Sequence, residues 1–225
     1  MPGILVTFVD KEFTMDAQAV KRESERLVRE AGGETIDWLP WVNRRGTRSQ
    51  EEVVQRALIM NAMLNIYFKA PVAIIRGWIS SNGLDRGLSA WERSFLSKAD
   101  VDIVEDEKIY IYWYIESLWA LMWAGGITDA LPFDKGVPNH MATLVPNLQR
   151  GEDSSAFTSK FVLRPEEDLF KMLDLYFRCH WFARSEDTQG RSHPSFPYPI
   201  IAHRRRSLEW LFDPKCDWDD VPMST

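Results

Sequence analysis

The sequence predicts an all-α fold, and three observations carry that expectation. Apolar side chains recur every three to four residues along most of the chain. Two capping boxes and a Pro-Glu-Glu start mark helix beginnings, and Gly pairs or Asn-Gly close several segments. Runs of strict apolar–polar alternation are almost missing. The expected architecture is a single-domain bundle of about seven or eight helices, with at most a minor short β element. The 225 residues can bury about 70% of the unfolded chain's surface around one core. Length alone leaves two small domains open, and the short loops favour one compact unit.

The first ten residues read as a short strand or a loosely packed arm. Met15 to Ala31 reads as a helix, capped by Asp16 or Thr14 and stopped by Gly32-Gly33. Its weakly apolar face of Ala19, Leu27, Val28 and Ala31 places it at the periphery. Trp38-Leu39-Pro40-Trp41 follows as an irregular connector with aromatic anchors. Residues 1–48 thus form an N-terminal arm with a peripheral helix, and 49–225 the main helical domain.

Ser49 opens the second helix with a capping box, because Glu52 lies three residues on. Val53, Ala57, Met60, Leu64 and Tyr67 give it one apolar face. Pro71 starts a helix through Ser80 that Asn82-Gly83 ends. Ser89 and Glu92 form a second capping box, for a short helix through Leu96. After the acidic stretch Asp100, Asp102, Glu105, Asp106 and Glu107 comes the longest apolar helix, Lys108 to Ala124, stopped by Gly125-Gly126. Pro132 to Gly151 is broken, with a short helix near Asn139 to Leu144. Thr158 to Leu163 alternates loosely enough to suggest a strand. Pro165-Glu166-Glu167 then starts a helix reaching about Arg184. A polar loop leads to the last helix, Ile200 to Phe212.

Composition narrows the function classes. Hydrophobic residues make up 45% and charged residues 27%, and ten Trp point to a core of large aromatics. A net charge of −6 argues against a nonspecific nucleic-acid binder, which needs a positive footprint. Two cysteines, Cys179 and Cys216, are too few for a disulfide scaffold and fit reduced thiols in a cytoplasmic protein. The N-terminal apolar run lacks a basic start, so no secretory signal is expected. Ile109 to Ile127 carries Glu116 at its middle, which favours a buried core helix over a membrane span. His140, His180, His193 and His203 show no metal-ligand spacing. Asp217, Asp219 and Asp220 lack the Gly and closing Glu of a calcium loop. No metal and no cofactor is expected.

Three segments could carry chemistry. In the first, Trp113, Glu116, Trp119 (or Ala120) and Trp123 share a helical face at spacings of three and four. A carboxylate among indoles is costly to bury unpaired, so Glu116 is expected to meet an Arg or indole N–H groups, and Arg178 is a plausible partner. In the second, Asp174, Arg178 and Trp181 are four and three apart on one helix and so adjacent on a surface, where Asp174 can pair with Arg178. A Cys179–His180 nucleophile pair is geometrically poor, because adjacent helical residues diverge by about 100°. In the third, His203 precedes Arg204, Arg205 and Arg206. Successive arginines fan around a helix, so a structural role is expected, with Arg204 or Arg205 pinning the acidic tail around Trp218.

The ordered set of these pieces resembles a known family. Arg56-Ala-Leu, Ser89-x-x-Glu92-x-x-Phe-Leu, Trp113-x-x-Glu116-x-x-Trp119-x-Leu-x-Trp123-Ala, Leu173-Asp174-x-Tyr176-x-Arg178-x-His180-Trp181, Arg204-Arg-Arg-Ser-Leu-Glu-Trp210-Leu and Trp218-Asp219-Asp-Val are similar to domain-of-unknown-function family 4272, which is mostly bacterial. The resemblance covers about Ser49 to the C-terminus. Glu209 stands where Asn is common in that pattern, and Ser224 where Asp is common. The resemblance implies a helical fold and brings no established activity, so no catalytic residue is carried over.

The polar members Arg56, Glu92, Glu116, Arg178, Arg204 and Asp219 admit one account, as buried or half-buried ion pairs that hold helices in register between Trp side chains. The leading functional expectation is a non-catalytic protein-binding module. Its specific form is a bacterial immunity or antitoxin protein that neutralises a cognate toxin. Asp100, Asp102, Glu105, Asp106 and Glu107 would form the acidic contact surface. The alternative is an enzyme with a Trp-walled pocket in which Glu116 and Arg178 handle a small substrate.

Overall fold

A computed structural model describes residues 16–40, 42 and 45–224. The expectations for the first ten residues, Thr14, Met15 and Trp41 lie outside that range. Among the described residues there are nine α-helices: α1 (Ala17–Glu30), α2 (Gln50–Tyr67), α3 (Val72–Ser81), α4 (Ala90–Leu96), α5 (Glu105–Tyr112), α6 (Tyr114–Ala124), α7 (Ser155–Lys160), α8 (Glu166–Thr188) and α9 (Tyr198–Leu211). Short 3-10 turns fill several connections. Among the described residues the one β feature is an isolated bridge between His193 and Phe196, so the fold is all-α.

Local signals set the helix starts. Ser49 Oγ accepts from the Glu52 amide while Glu52 reaches back to the Ser49 amide, and Ser89 and Glu92 repeat the arrangement for α4. Asp16 caps α1 by accepting from the Gln18 amide at 2.9 Å.

Packing follows a chain of neighbours. α2 lies against α3, α5 and α6; α6 lies on α9; α9 on α8; and α8 on α1. α2 is central, and its buried residues run from Val53 to Ile66 on nearly every side. α1 docks through Val20, Ser24 and Val28, one residue per turn, while Ala19 is exposed. Its buried face is therefore not the one set by Ala19. Val28 is completely buried, which ties α1 firmly to α8.

Three sequence expectations change. The continuous helix Lys108–Ala124 is two helices that meet at Trp113. The ladder loosens there: Trp113 N to Ile109 O is 3.4 Å, Ser117 N to Trp113 O is 3.5 Å, and Glu116 N turns to Trp113 O in the tighter three-residue pattern. The Trp113 ring stacks on His203 of α9, 5.1 Å apart and 1° from parallel. Thr158–Leu163 is not a strand. It ends α7 and then continues extended, giving the Val162 and Arg164 amides to the carbonyls of Gly125 and Ala124 at 2.9 and 2.8 Å. Those carbonyls would otherwise be orphaned at the end of α6. Lastly, α8 runs four residues past Arg184, to Thr188.

Gly125 makes that junction possible. A Cβ there would sit 2.1 Å from the Phe161 ring, so only glycine lets the chain after α7 close on the end of α6.

Candidate functional site

Two buried ion pairs join helices, and a third lies within one helix against a neighbour. Arg56 of α2 meets Glu92 of α4 at 2.6 Å, and Glu92 also accepts from the Tyr114 hydroxyl at 3.0 Å. Arg204 of α9 meets Glu116 of α6 at 2.6 Å. Within α8, Arg178 makes a two-pronged contact with Asp174 at 2.8 and 2.9 Å, and Glu25 of α1 stands 3.6 Å from the same guanidinium. The pairing expected between Glu116 and Arg178 is thus corrected, since each has another partner. The Asp174–Arg178 pair is not on a surface, because α1 covers it and both residues are at most 2% exposed. The alternative enzyme pair is therefore not brought together.

Glu116 has a defined environment. Burial pushes its carboxyl above the usual carboxylate range, while the Arg204 guanidinium and the Val137 amide oppose that shift. Arg204 also donates to the Pro132 and Lys135 carbonyls and to the Tyr176 hydroxyl. This cross-linking ties the loop after α6 to α9. Among the indoles near it in sequence, Trp119 and Trp123 are buried and Trp113 is half-buried. Trp181 is half-buried and packs against the core.

The three successive arginines divide their work. Arg204 faces Glu116. Arg205 binds Glu209 at 2.9 Å and His180 Nδ1 at 2.7 Å, and holds the Ser224 carbonyl at 2.9 Å. Arg206 donates to the Tyr110 hydroxyl and, at 2.8 Å, to the Trp218 carbonyl. The tail is pinned by Arg205 and Arg206 through backbone carbonyls, not by Arg204 and not through the tail acids. Asp219 instead accepts from the Trp91 amide at 2.8 Å, bringing the tail against the start of α4. Trp218 and Trp210 are buried with ring centres 6.0 Å apart.

The acidic run splits into structural and free members. Asp100 accepts from the Val72 amide at 2.9 Å and so caps α3 from outside that helix. Glu107 binds Lys98 at 2.6 Å and reaches back to the Val104 amide, anchoring α5. Among the described residues Asp102 and Asp106 are exposed and make no side-chain hydrogen bond or ion pair, and Glu105 makes one exposed contact with Lys108 at 3.4 Å.

The sequence reading of this segment missed its apolar component. Val101 is 91% exposed and Val104 58%, and Ile109 and Tyr112 also face outward. Phe68 at the end of α2 is 60% exposed and adjoins them through Tyr67, whose ring lies 4.9 Å from Tyr112. Beside Phe68 is a cleft of about 440 Å³ lined by Leu64, Ile115, Pro138, Met141 and Val145. The sequence carries this signal as Val101 and Val104 set between the acids Asp100, Asp102 and Glu105.

Among the described residues no three or more His, Cys, Asp and Glu side chains gather as a metal set, and no helix is long and apolar enough to cross a membrane.

The architecture defines a single-domain, all-helical protein whose helices are cross-linked by buried guanidinium–carboxylate pairs. The chain belongs to the family described as Domain of unknown function (DUF4272), whose model matches residues 20–221, beginning inside α1. No curated protein and no solved structure matches it.

Proposed function

We propose that this chain is a non-catalytic protein-binding module, and that its specific role is that of a bacterial immunity or antitoxin protein directed at a basic toxin. One observation carries the reading. Four exposed apolar side chains, Val101, Val104, Ile109 and Tyr112, are interleaved with Asp102, Glu105 and Asp106 and continue onto Phe68. An apolar centre with a charged rim is the anatomy of a protein interface. The cleft beside Phe68 offers a receptor for one anchoring side chain of the partner. The free acids and the net charge of −6 select a partner with a cationic cleft and accelerate the encounter.

The test is co-expression with the product of the adjacent upstream gene, followed by co-purification in low and high salt. The complex is expected to form and to weaken as salt rises. Reversing charge at Asp102, Glu105 and Asp106 together should abolish it, as should Val101→Asp, while circular dichroism stays unchanged. A complex that survives both variants sinks the surface assignment. An upstream product without a basic face sinks the toxin reading.

A further inference from the structure

The lining of the cleft beside Phe68 restricts what can enter it. Its apolar floor is Leu64 of α2, Ile115 of α6, and Val137, Met141 and Val145 of the stretch after α6. All five belong to the core or pack against it, so the floor is formed before anything binds. None of the described residues lining the cleft is charged. Lys69 and Arg150 adjoin lining residues in the sequence but are not part of the lining. Glu116, which accepts from the Val137 amide, is already held by Arg204.

The polar side chains of the lining are all carboxamides: Asn61, Asn65, Asn139, Asn147 and Gln149. Asn61 stitches the two walls together, donating through Nδ2 to the Pro146 carbonyl at 3.1 Å. Asn65 donates through Nδ2 to the Asn61 carbonyl at 2.8 Å, which leaves its Oδ1 an acceptor with no donor among the described residues. Asn147 accepts through Oδ1 from the Arg150 amide at 3.2 Å, which leaves its Nδ2 a donor with no acceptor among them. Asn139 and Gln149 are exposed and make no side-chain hydrogen bond among the described residues. The open groups are thus an acceptor on the α2 wall, a donor on the opposite wall, and two complete amides.

A peptide main chain matches such a lining. Each of its residues offers one N–H and one C=O, and a carboxamide offers the same two kinds of group in return. Phosphates and carboxylates, with the nucleotides or fatty acids that carry them, would need a cation that the lining lacks. Asn61 and Phe68 are seven positions apart on α2, about 10 Å along its axis and the reach of about three extended residues. A helix would leave the carboxamides unused, because its main-chain groups are already paired, and it is about as wide as this cleft is long.

We propose that the cleft binds an extended, uncharged peptide segment of about three residues, with main-chain hydrogen bonds to the carboxamides and one apolar side chain seated between Leu64, Ile115, Met141 and Val145. The inference rests on the reading of this region as a protein interface, and it names the part of the partner that enters the cleft. The partner's basic face meets Asp102, Glu105 and Asp106, and an uncharged loop beside that face supplies the segment.

The experiment follows the backbone and side-chain amide signals of the ¹⁵N-labelled full chain by NMR during titration with three blocked tripeptides, acetyl-Ser-Leu-Ser-amide and its Met and Phe counterparts. At least one is expected to bind saturably and to move the side-chain amides of Asn65, Asn139 and Gln149. The counterparts with Asp or Lys at the centre should bind at least about tenfold more weakly, as should isoamyl alcohol, which carries the Leu side chain without a main chain. Asn139→Ala and Gln149→Ala each remove an exposed side chain that makes no hydrogen bond of its own among the described residues. Each should weaken the tripeptide about fivefold, the scale of one neutral hydrogen bond. Ala142→Glu sets a carboxylate in the lining at an exposed position and should abolish binding. Charge reversal at Asp102, Glu105 and Asp106 should leave tripeptide binding unchanged, so intact tripeptide binding without a toxin complex sinks the toxin reading alone. The cleft proposal is overturned if none of the three tripeptides binds saturably, if the alcohol or the charged counterparts bind as tightly, or if both alanine variants leave the affinity unchanged.

Discussion

Arg204 and Glu116 meet at 2.6 Å between α9 and α6, with the guanidinium wholly buried and the carboxylate 6% exposed. Each would be an uncompensated buried charge without the other. Removing one partner of such a pair is expected to cost about 3–5 kcal/mol, whereas replacing both by apolar groups of similar size costs far less. Glu116→Gln and Arg204→Met should therefore each lower the urea midpoint strongly, and the double variant Glu116→Leu with Arg204→Met should recover part of the loss. Recovery will be incomplete because the Pro132 and Lys135 carbonyls lose their donor. A Glu116→Gln protein as stable as the native one would show that the carboxylate does not brace the fold.

Asp100 and Asp102 look alike in the sequence and should behave differently. Asp100→Ala removes the cap of α3 and should cost about 1 kcal/mol. Asp102 is exposed and makes no side-chain hydrogen bond or ion pair among the described residues, so Asp102→Ala should stay within about 0.5 kcal/mol of the native value. Equal midpoints for the two variants in chemical denaturation would contradict the division of the acidic run.

Stability should fall on mild acidification. Burial, helped by Arg205, pushes His180 from 6.5 down to about 3, and burial, helped by Arg206, pushes His203 down to about 4. Arg205 can only donate, so His180 Nδ1 must accept and the ring stays neutral. Below pH 6.5 the unfolded chain takes up protons that these two rings refuse. The stability they contribute is thus present above 6.5 and lost as pH falls toward their folded values, each with a slope of up to about 1.4 kcal/mol per pH unit. Glu116 and Glu209, pushed up chiefly by burial, act in the opposite direction above the ordinary Glu value and offset part of this. The urea midpoint measured from pH 7 to pH 5 should decline, and less steeply in His180→Gln. A pH slope that this variant leaves intact would remove His180 from the account.

Gly125→Ala should destabilise by about 1–3 kcal/mol through overpacking, since the new methyl meets the buried Phe161 ring. Phe161→Leu in the same chain should return part of that loss. Thermal unfolding of the single and double variants reads the coupling directly, and strictly additive effects would argue against the close approach.

The sequence by itself determined what is encoded within a few residues. Ser49 with Glu52 and Ser89 with Glu92 dictated two helix starts because a capping box closes locally. The three-to-four rhythm made the fold all-α, and the ordered Trp, Arg and Glu pattern already resembled the family. What lies in contacts between distant segments had to wait for the tertiary structure. No local rule pairs Glu116 with Arg204, 88 positions away, in place of Arg178, or places α1 over the Asp174–Arg178 pair. The apolar run through Trp113 hid the break between α5 and α6, since it carries exposed Ile109 and Tyr112 as well as buried Ile111 and so shows no polar face whose rhythm could mark the change. Nor could spacing show Asp100 capping α3 while Val101 beside it stands bare. A side chain's partner is chosen by which helices pack together, and that choice is settled by the whole core at once.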